Sequence, residues 1–444
     1  MFETLIRGAT VVNADGLSRG DIGIAAGKVA ALIAPGEAAE AGTVINASGS
    51  FLLPGLVDAH AHLREPGLTQ KEDFSSGTHA AALGGVTTVL DMPTDEPWTA
   101  TSEQLADKMA MAEGRIHVDV GLQAVVSRDL SLVPRLLDRA PVSFELFTAD
   151  VPDAFLFATL DAVAEALKAF AGAETLIGIS PGDQSILTGA TARDRSGSIA
   201  AFLDSRPPLA EANGIARAVI AAASAEARIH VRQINSELGV ETWNRLRGMA
   251  DASVETTPQN LFFTADDYEA QGANLKASPP LRSPHDVDAL RAALGAGLID
   301  IVATDHAPHA PVEKAAPYTA FADIPGGMPG LQTLLQTMLR LVEEGLIVLP
   351  DLVRMCSTNP AERFGLGRRK GRVAVGYDAD LLILDPRQSS TIANADQLSR
   401  AGCTPFDGWK VKARLTNVFL RGREIVREGR PVGAAQGKIV TRES

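Results

Sequence analysis

Cysteine is scarce in this chain of 444 residues: there are two, Cys356 and Cys403. They lie far apart and match no metal-ligand spacing, which leaves no disulfide framework and no thiolate metal centre, and the thiols read as buried and inert. Long hydrophobic runs are also missing, since no apolar stretch approaches the roughly 20 residues of a membrane-spanning helix. The opening residues, Met1-Phe2-Glu3-Thr4, lack the basic segment and apolar core of a signal peptide, so a cytoplasmic location is expected. Positive charge is in deficit, with 41 Lys and Arg against 54 Asp and Glu and a net charge of −13. The single basic cluster, Arg368-Arg369-Lys370, is too little for nucleic-acid binding. The glycine pairs Gly84-Gly85 and Gly326-Gly327 lack the helix-opening spacing of a phosphate loop.

What is present is an alternation of textures. Residues up to about 50 carry short strand-like runs separated by turns such as Ala14-Asp15-Gly16, and the same texture returns after about residue 366. Between them, short apolar runs alternate with alanine-rich helical stretches. Strands are expected at Phe51-Val57, Val86-Asp91, His117-Leu122, Ser143-Phe147, Leu176-Ser180, Arg228-Ile234, Ala252-Thr256 and Ile299-Thr304. Strand–helix units in that number over roughly 310 residues predict an α/β fold, a (β/α)8 TIM barrel spanning 51–365. Segments 1–50 and 366–444 would form a small β-sandwich domain from both chain ends.

In such a barrel chemistry sits at the C-terminal ends of the strands. Four residues separate the apolar run Phe51-Leu52-Leu53 from Asp58-Ala59-His60-Ala61-His62. Histidines at i and i+2 of a strand share a face and are placed to hold one metal ion. Two satisfied strand histidines are the plainer alternative, but Asp58, Arg64 and the later Asp305 favour the metal.

These residues, with Leu63-Arg64-Glu65-Pro66-Gly67, Met92-Pro93, Pro279-Pro280-Leu281-Arg282 and Thr304-Asp305-His306-Ala307-Pro308-His309, resemble the dihydroorotase branch of the amidohydrolase superfamily. Allantoinases and hydantoinases share that scaffold. The resemblance covers nearly the whole chain and implies hydrolysis of a cyclic amide, imide or ureide C–N bond by metal-activated water. It makes Asp305 a ligand and the proton carrier between nucleophile and leaving nitrogen. It makes Arg64 the bidentate grip on a substrate carboxylate and His309 a second anchor. It also implies a homodimer or homotetramer.

The chain departs from its relatives at the second metal. Glu145 stands where the resemblance places a carboxylated lysine, Ser180 and Gln233 where it places two histidines, and His230 is expected on the opposite strand face from Gln233. Hydroxyl and amide oxygens are poor zinc ligands beside imidazole. At the substrate end, Thr94 and Ser278 replace two asparagines, and Gln259-Asn260 replaces a histidine pair. The expectation is one Zn2+ per chain held by His60, His62, Glu145 and Asp305, with a substrate other than dihydroorotate. For Glu145 the alternative is a carboxylate paired with a nearby cation in a vacated metal pocket. The contrasting functional reading is an inactive homologue serving as a structural partner of aspartate transcarbamoylase, and a single-metal deaminase lacks candidates for its extra imidazole and acid. His306 has no assigned role, and His79, His117 and His285 read as packing or surface residues.

Overall fold

The computed structural model of the chain describes residues 1–442. Its centre is a parallel sheet whose strands run, in order, Leu56–Ala61, Val86–Asp91, Asp119–Val125, Ser143–Phe147, Ile177–Ser180, Ile229–Val231, Ala252–Thr256 and Ile301–Val302. The isolated parallel bridge Ala61–His306, with His62 N–H donating to His306 O at 2.7 Å, brings the last strand's exit back to the first. The sheet is thus the TIM barrel that the alternating pattern predicts.

Each strand divides its side chains between two environments. Phe144, Leu146, Ile177, Ile179, Ile229, Val231 and Val254 belong to the large apolar cluster under the helices. Their sequence neighbours turn inward, and on strands three to seven these are mostly polar. Burial on both faces explains why these strands are near-continuously apolar outside yet carry isolated charges within. The helices start on side-chain caps: Asp73 accepts from Ser76 N–H at 2.7 Å ahead of Phe74–Leu83, and Ser236 from Gly239 N–H at 3.0 Å ahead of Glu237–Leu246.

Both chain ends build the small domain. One sheet has the order Lys28–Ile33, Asp21–Ala25, Phe2–Arg7, Ala41–Asn46. The other runs Arg430–Pro431, Arg423–Arg427, Arg414–Leu420, Leu381–Asp385, Phe51–Pro54, Thr10–Asn13, Gly16–Arg19. The run Phe51-Val57, expected as one barrel strand, is therefore two. Phe51–Pro54 pairs with Leu381–Asp385, and the barrel strand begins only after Gly55. A Cβ on Gly55 would lie 2.1 Å from Thr87 Oγ1, so the chain can pass between the sheets only where there is no side chain.

The two parts are tied by buried charge. Lys370 Nζ lies 2.6 Å from Asp119 on the third barrel strand and 2.5 Å from Asp380, and Arg421 also reaches Asp119. Burial opposes ionisation of Asp119, yet these two cations hold its carboxyl below the usual value.

Candidate metal centre and its surroundings

His60, His62 and Asp305 converge at the barrel mouth, where their ligand atoms form one close group. Nε2 of His60 and Nε2 of His62 each lie 3.3 Å from Asp305 Oδ1. His60 is the last residue but one of the first strand, His62 follows the strand, and Asp305 lies just beyond the eighth strand with φ 45°, a left-handed turn that swings its carboxylate back over the mouth. Asp58 locks the two strands together by accepting from the backbone N–H groups of His60 at 3.2 Å and Thr304 at 3.0 Å. Burial pushes the Asp58 carboxyl up to about 6.

The remote ring nitrogens are held as well. Nδ1 of His60 is 2.5 Å from Glu255 Oε1, and Nδ1 of His62 is 2.9 Å from Thr94 Oγ1. The Glu255 carboxylate can only accept at His60 Nδ1, whereas the Thr94 hydroxyl can accept or donate at His62 Nδ1, and the Nε2 atoms of both rings face Asp305 Oδ1. Burial drives the His62 pKa down to about 3, which favours the neutral ligand form. Burial also opposes charge on His60, but Glu255 and Asp305 outweigh it and raise its pKa.

Glu145 is engaged elsewhere. Its Oε1 accepts from Ser180 Oγ at 2.8 Å and its Oε2 from Arg232 Nε at 3.0 Å. It stands outside the His60–His62–Asp305 group and is paired with the Arg232 guanidinium. Gly178 makes this possible: a Cβ there would meet Glu145 Oε2 at 2.1 Å and Arg232 Nε at 2.9 Å. Arg232, fully buried, also donates to Glu255 Oε2 at 3.2 Å, Gln123 Oε1 at 2.6 Å and Ala59 O at 3.0 Å. Burial opposes ionisation of Glu255, yet Arg232 and His60 hold its carboxyl well below the usual range.

Strand six departs from the parity argument. Ile229 and Val231 pack outward, so His230 and Arg232 both enter the barrel. His230 Nε2 lies 2.9 Å from Glu255 Oε2 and its Nδ1 2.8 Å from Ser253 Oγ. Gln233 follows the strand's end with φ 48°, which returns it to the same side, where Nε2 donates to Asp305 Oδ2. Alternation fails there because the residue is no longer extended.

At the substrate end, a cavity of about 240 Å³ opens above the group, bounded by Ser180, Gln233 and Ser278 and walled by Met92, Phe147 and Leu187. Arg64 is 9% exposed and its Nε has no hydrogen-bond partner, while the neighbouring Glu65 pairs with Arg115 at 2.6 Å. His309 Nε2 is bonded to Gly326 O at 3.0 Å while its Nδ1 has none, and burial lowers its pKa to about 3. Gln259 donates to Thr304 O at 3.3 Å and Asn260 accepts from Asn235 at 3.4 Å, so both are framework. His306 takes the Gly330 N–H at 3.1 Å and lies 3.3 Å from Glu72. His79 and His117 stack at 4.1 Å, and exposed His285 pairs with Glu237.

The amidohydrolase family profile matches residues 51–171 and 211–425. The chain belongs to the amidohydrolase family. It is 35% identical over 415 residues to a dihydroorotase of Halobacterium salinarum, covering 92% of this chain and 94% of that one. It is 33% identical over 451 residues to an allantoinase of Salmonella newport, covering 97% of each. Among solved structures, an L-hydantoinase (dihydropyrimidinase) from Arthrobacter aurescens superposes with TM-score 0.95 at 30% identity over the full length of both. These relatives support a cyclic amidohydrolase. No helix among the described residues is long and apolar enough to cross a membrane.

No motif in the sequence points to Arg232 or Glu255. For Glu255 a signal existed: an acid in the strand Ala-Ser-Val-Glu-Thr is buried on both faces and demands a partner.

Proposed function

We propose that this amidohydrolase opens a cyclic amide, imide or ureide other than dihydroorotate, using one divalent metal ion per chain, zinc by resemblance. The observation that carries the reading is the convergence of two imidazole nitrogens and one carboxylate oxygen, with both imidazoles held at Nδ1. Three nitrogen and oxygen donors with a further open position fit a hydrolytic zinc site. Bound there, the ion would lower the pKa of water towards about 7 and polarise a ring carbonyl.

The chain's own residues do the rest. Asp305 takes the proton from the attacking water and returns it to the departing ring nitrogen. Gln233 holds the other oxygen of that carboxylate, fixing its direction. Arg64, with its Nε unpaired, offers a grip for a carboxylate on the substrate. In this proposal Glu145 serves as the partner of Arg232 rather than as a ligand. Dihydroorotate is disfavoured because Thr94 is occupied by His62 and Gln259 and Asn260 by the framework.

The test is metal content of chain purified without added chelator, combined with hydrolysis of a panel of hydantoins, dihydropyrimidines and cyclic imides. About one zinc per chain and turnover of a panel member are expected; no bound transition metal would refute it. The pairing of Glu145 with Arg232 favours a second reading, the non-catalytic partner of aspartate transcarbamoylase. Undetectable hydrolysis together with co-purification of untagged transcarbamoylase would put that reading first.

A further inference from the structure

We propose that Arg232 and Glu255 are positioning residues for the metal site: a fixed internal cation that holds a carboxylate against His60 and at the same time occupies Glu145. This rests on the single-metal reading above. Arg232 is fully buried directly after the sixth strand, and its guanidinium touches groups from four other strands: Ala59 O, Gln123, Glu145 and Glu255. A lysine could not span them, because a single ammonium lacks the rigid fork that serves two carboxylates in different directions.

Glu255 is the link to the site. Oε2 accepts from Arg232 and His230, so Oε1 is left for His60 Nδ1 at 2.5 Å. His230 is fixed in turn by Ser253, at 2.8 Å, and its ring packs edge-on against Phe364. The carboxylate is thus clamped from one side and aimed on the other. A carboxylate that accepts the Nδ1 proton of a ligating histidine orients the ring and raises its basicity, and loss of such a partner typically costs about 10–100-fold in metal affinity. The same guanidinium takes Glu145 Oε2, with Ser180 on Oε1, which leaves this carboxylate no oxygen free of a donor. Arg232 therefore organises one metal position and keeps Glu145 from building another.

The experiment uses the full-length chain stripped of metal. Zinc is titrated against a chromophoric chelator in wild type, Glu255→Gln, Arg232→Lys and Glu145→Gln, and the ring nitrogens of 15N-histidine are observed before zinc is added. Wild type should show a low-field proton on His60 Nδ1, weakened or lost in Glu255→Gln. Zinc affinity should fall about 10–100-fold in Glu255→Gln and about 10-fold in Arg232→Lys, which keeps the buried charge. Glu145→Gln should stay within about threefold of wild type, since Glu145 makes no bond to His60. Unchanged affinity in Glu255→Gln, or no such proton in wild type, would overturn the proposal. So would a loss in Glu145→Gln as large as that in Glu255→Gln, which would place Glu145 in the ligand set. Wild type that shows the proton but takes up no zinc would leave the Arg232–Glu255–His60 link standing and remove the metal reading alone.

Discussion

The two halves of the barrel mouth solve opposite problems with similar residues. On the side of the first and eighth strands, His60 Nε2, His62 Nε2 and an Asp305 oxygen face one another, and the remaining polar atoms of these groups are engaged by Glu255, Thr94 and Gln233. On the side of the fourth to sixth strands, Glu145, Ser180 and Arg232 satisfy each other. In the reading proposed above, the first arrangement is incomplete until it takes up a cation. The second already contains one. Charge that is buried must be paired, and the pairing can be supplied by a metal or by a guanidinium. What separates a binding site from a structural network here is whether the donors of the protein balance its acceptors.

The largest effect should come from breaking the balanced half. Arg232→Met leaves Glu145 and Glu255 buried without their cation, and removal of one partner of a buried pair costs about 3–5 kcal/mol. Urea unfolding should show that loss, with part of it recovered in the Glu145→Gln/Arg232→Met double variant. On the incomplete half, Asp305→Asn should leave stability nearly untouched while kcat falls about 10²–10⁴-fold. That split between stability and rate is the comparison in its sharpest form. A loss of stability in Asp305→Asn matching that of Arg232→Met would erase it.

Smaller changes test the packing around the pair. Gly178→Ala places a methyl group against Glu145 Oε2 and Arg232 Nε, and overpacking of this kind costs about 1–3 kcal/mol. The shift in urea midpoint should shrink when Glu145 is shortened to Asp in the same chain.

A control lies outside the mouth, at the junction with the small domain. The pKa of Asp119 is depressed in the folded state by Lys370 and Arg421 against the effect of burial. Its contribution is therefore present above its ordinary value of 3.8 and is lost as pH falls through the lower folded value. Asp119→Asn should be less stable at neutral pH and should show a shallower acid limb in stability below about pH 4. An acid limb as steep as that of wild type would count against this assignment.

The incomplete half was readable from sequence because its members sit in short local motifs. Asp58-Ala59-His60-Ala61-His62 and Thr304-Asp305 follow apolar strands, and a strand's end is where a barrel does chemistry. The barrel itself was readable from its alternating runs. The balanced half was only partly readable. Glu145, Ser180 and Gln233 could be placed by resemblance, but Arg232 meets Glu145 across 87 positions and Glu255 across 23, and no local pattern announces such a bond. Parity misled as well, because Gln233 leaves the extended conformation with φ 48°, so it and His230 both face inward. The partner of Glu65 was not legible either: Arg115, fifty positions away, takes it. Residues whose role depends on a neighbour in sequence are legible; those whose role depends on who else is already paired are not.

The most direct test is the anomalous diffraction of crystals soaked in zinc. One peak per chain is predicted, about 2.0–2.2 Å from His60 Nε2, His62 Nε2 and an Asp305 oxygen, with Glu145 still on Arg232. A peak coordinated by Glu145, or two peaks sharing the mouth, would contradict the account.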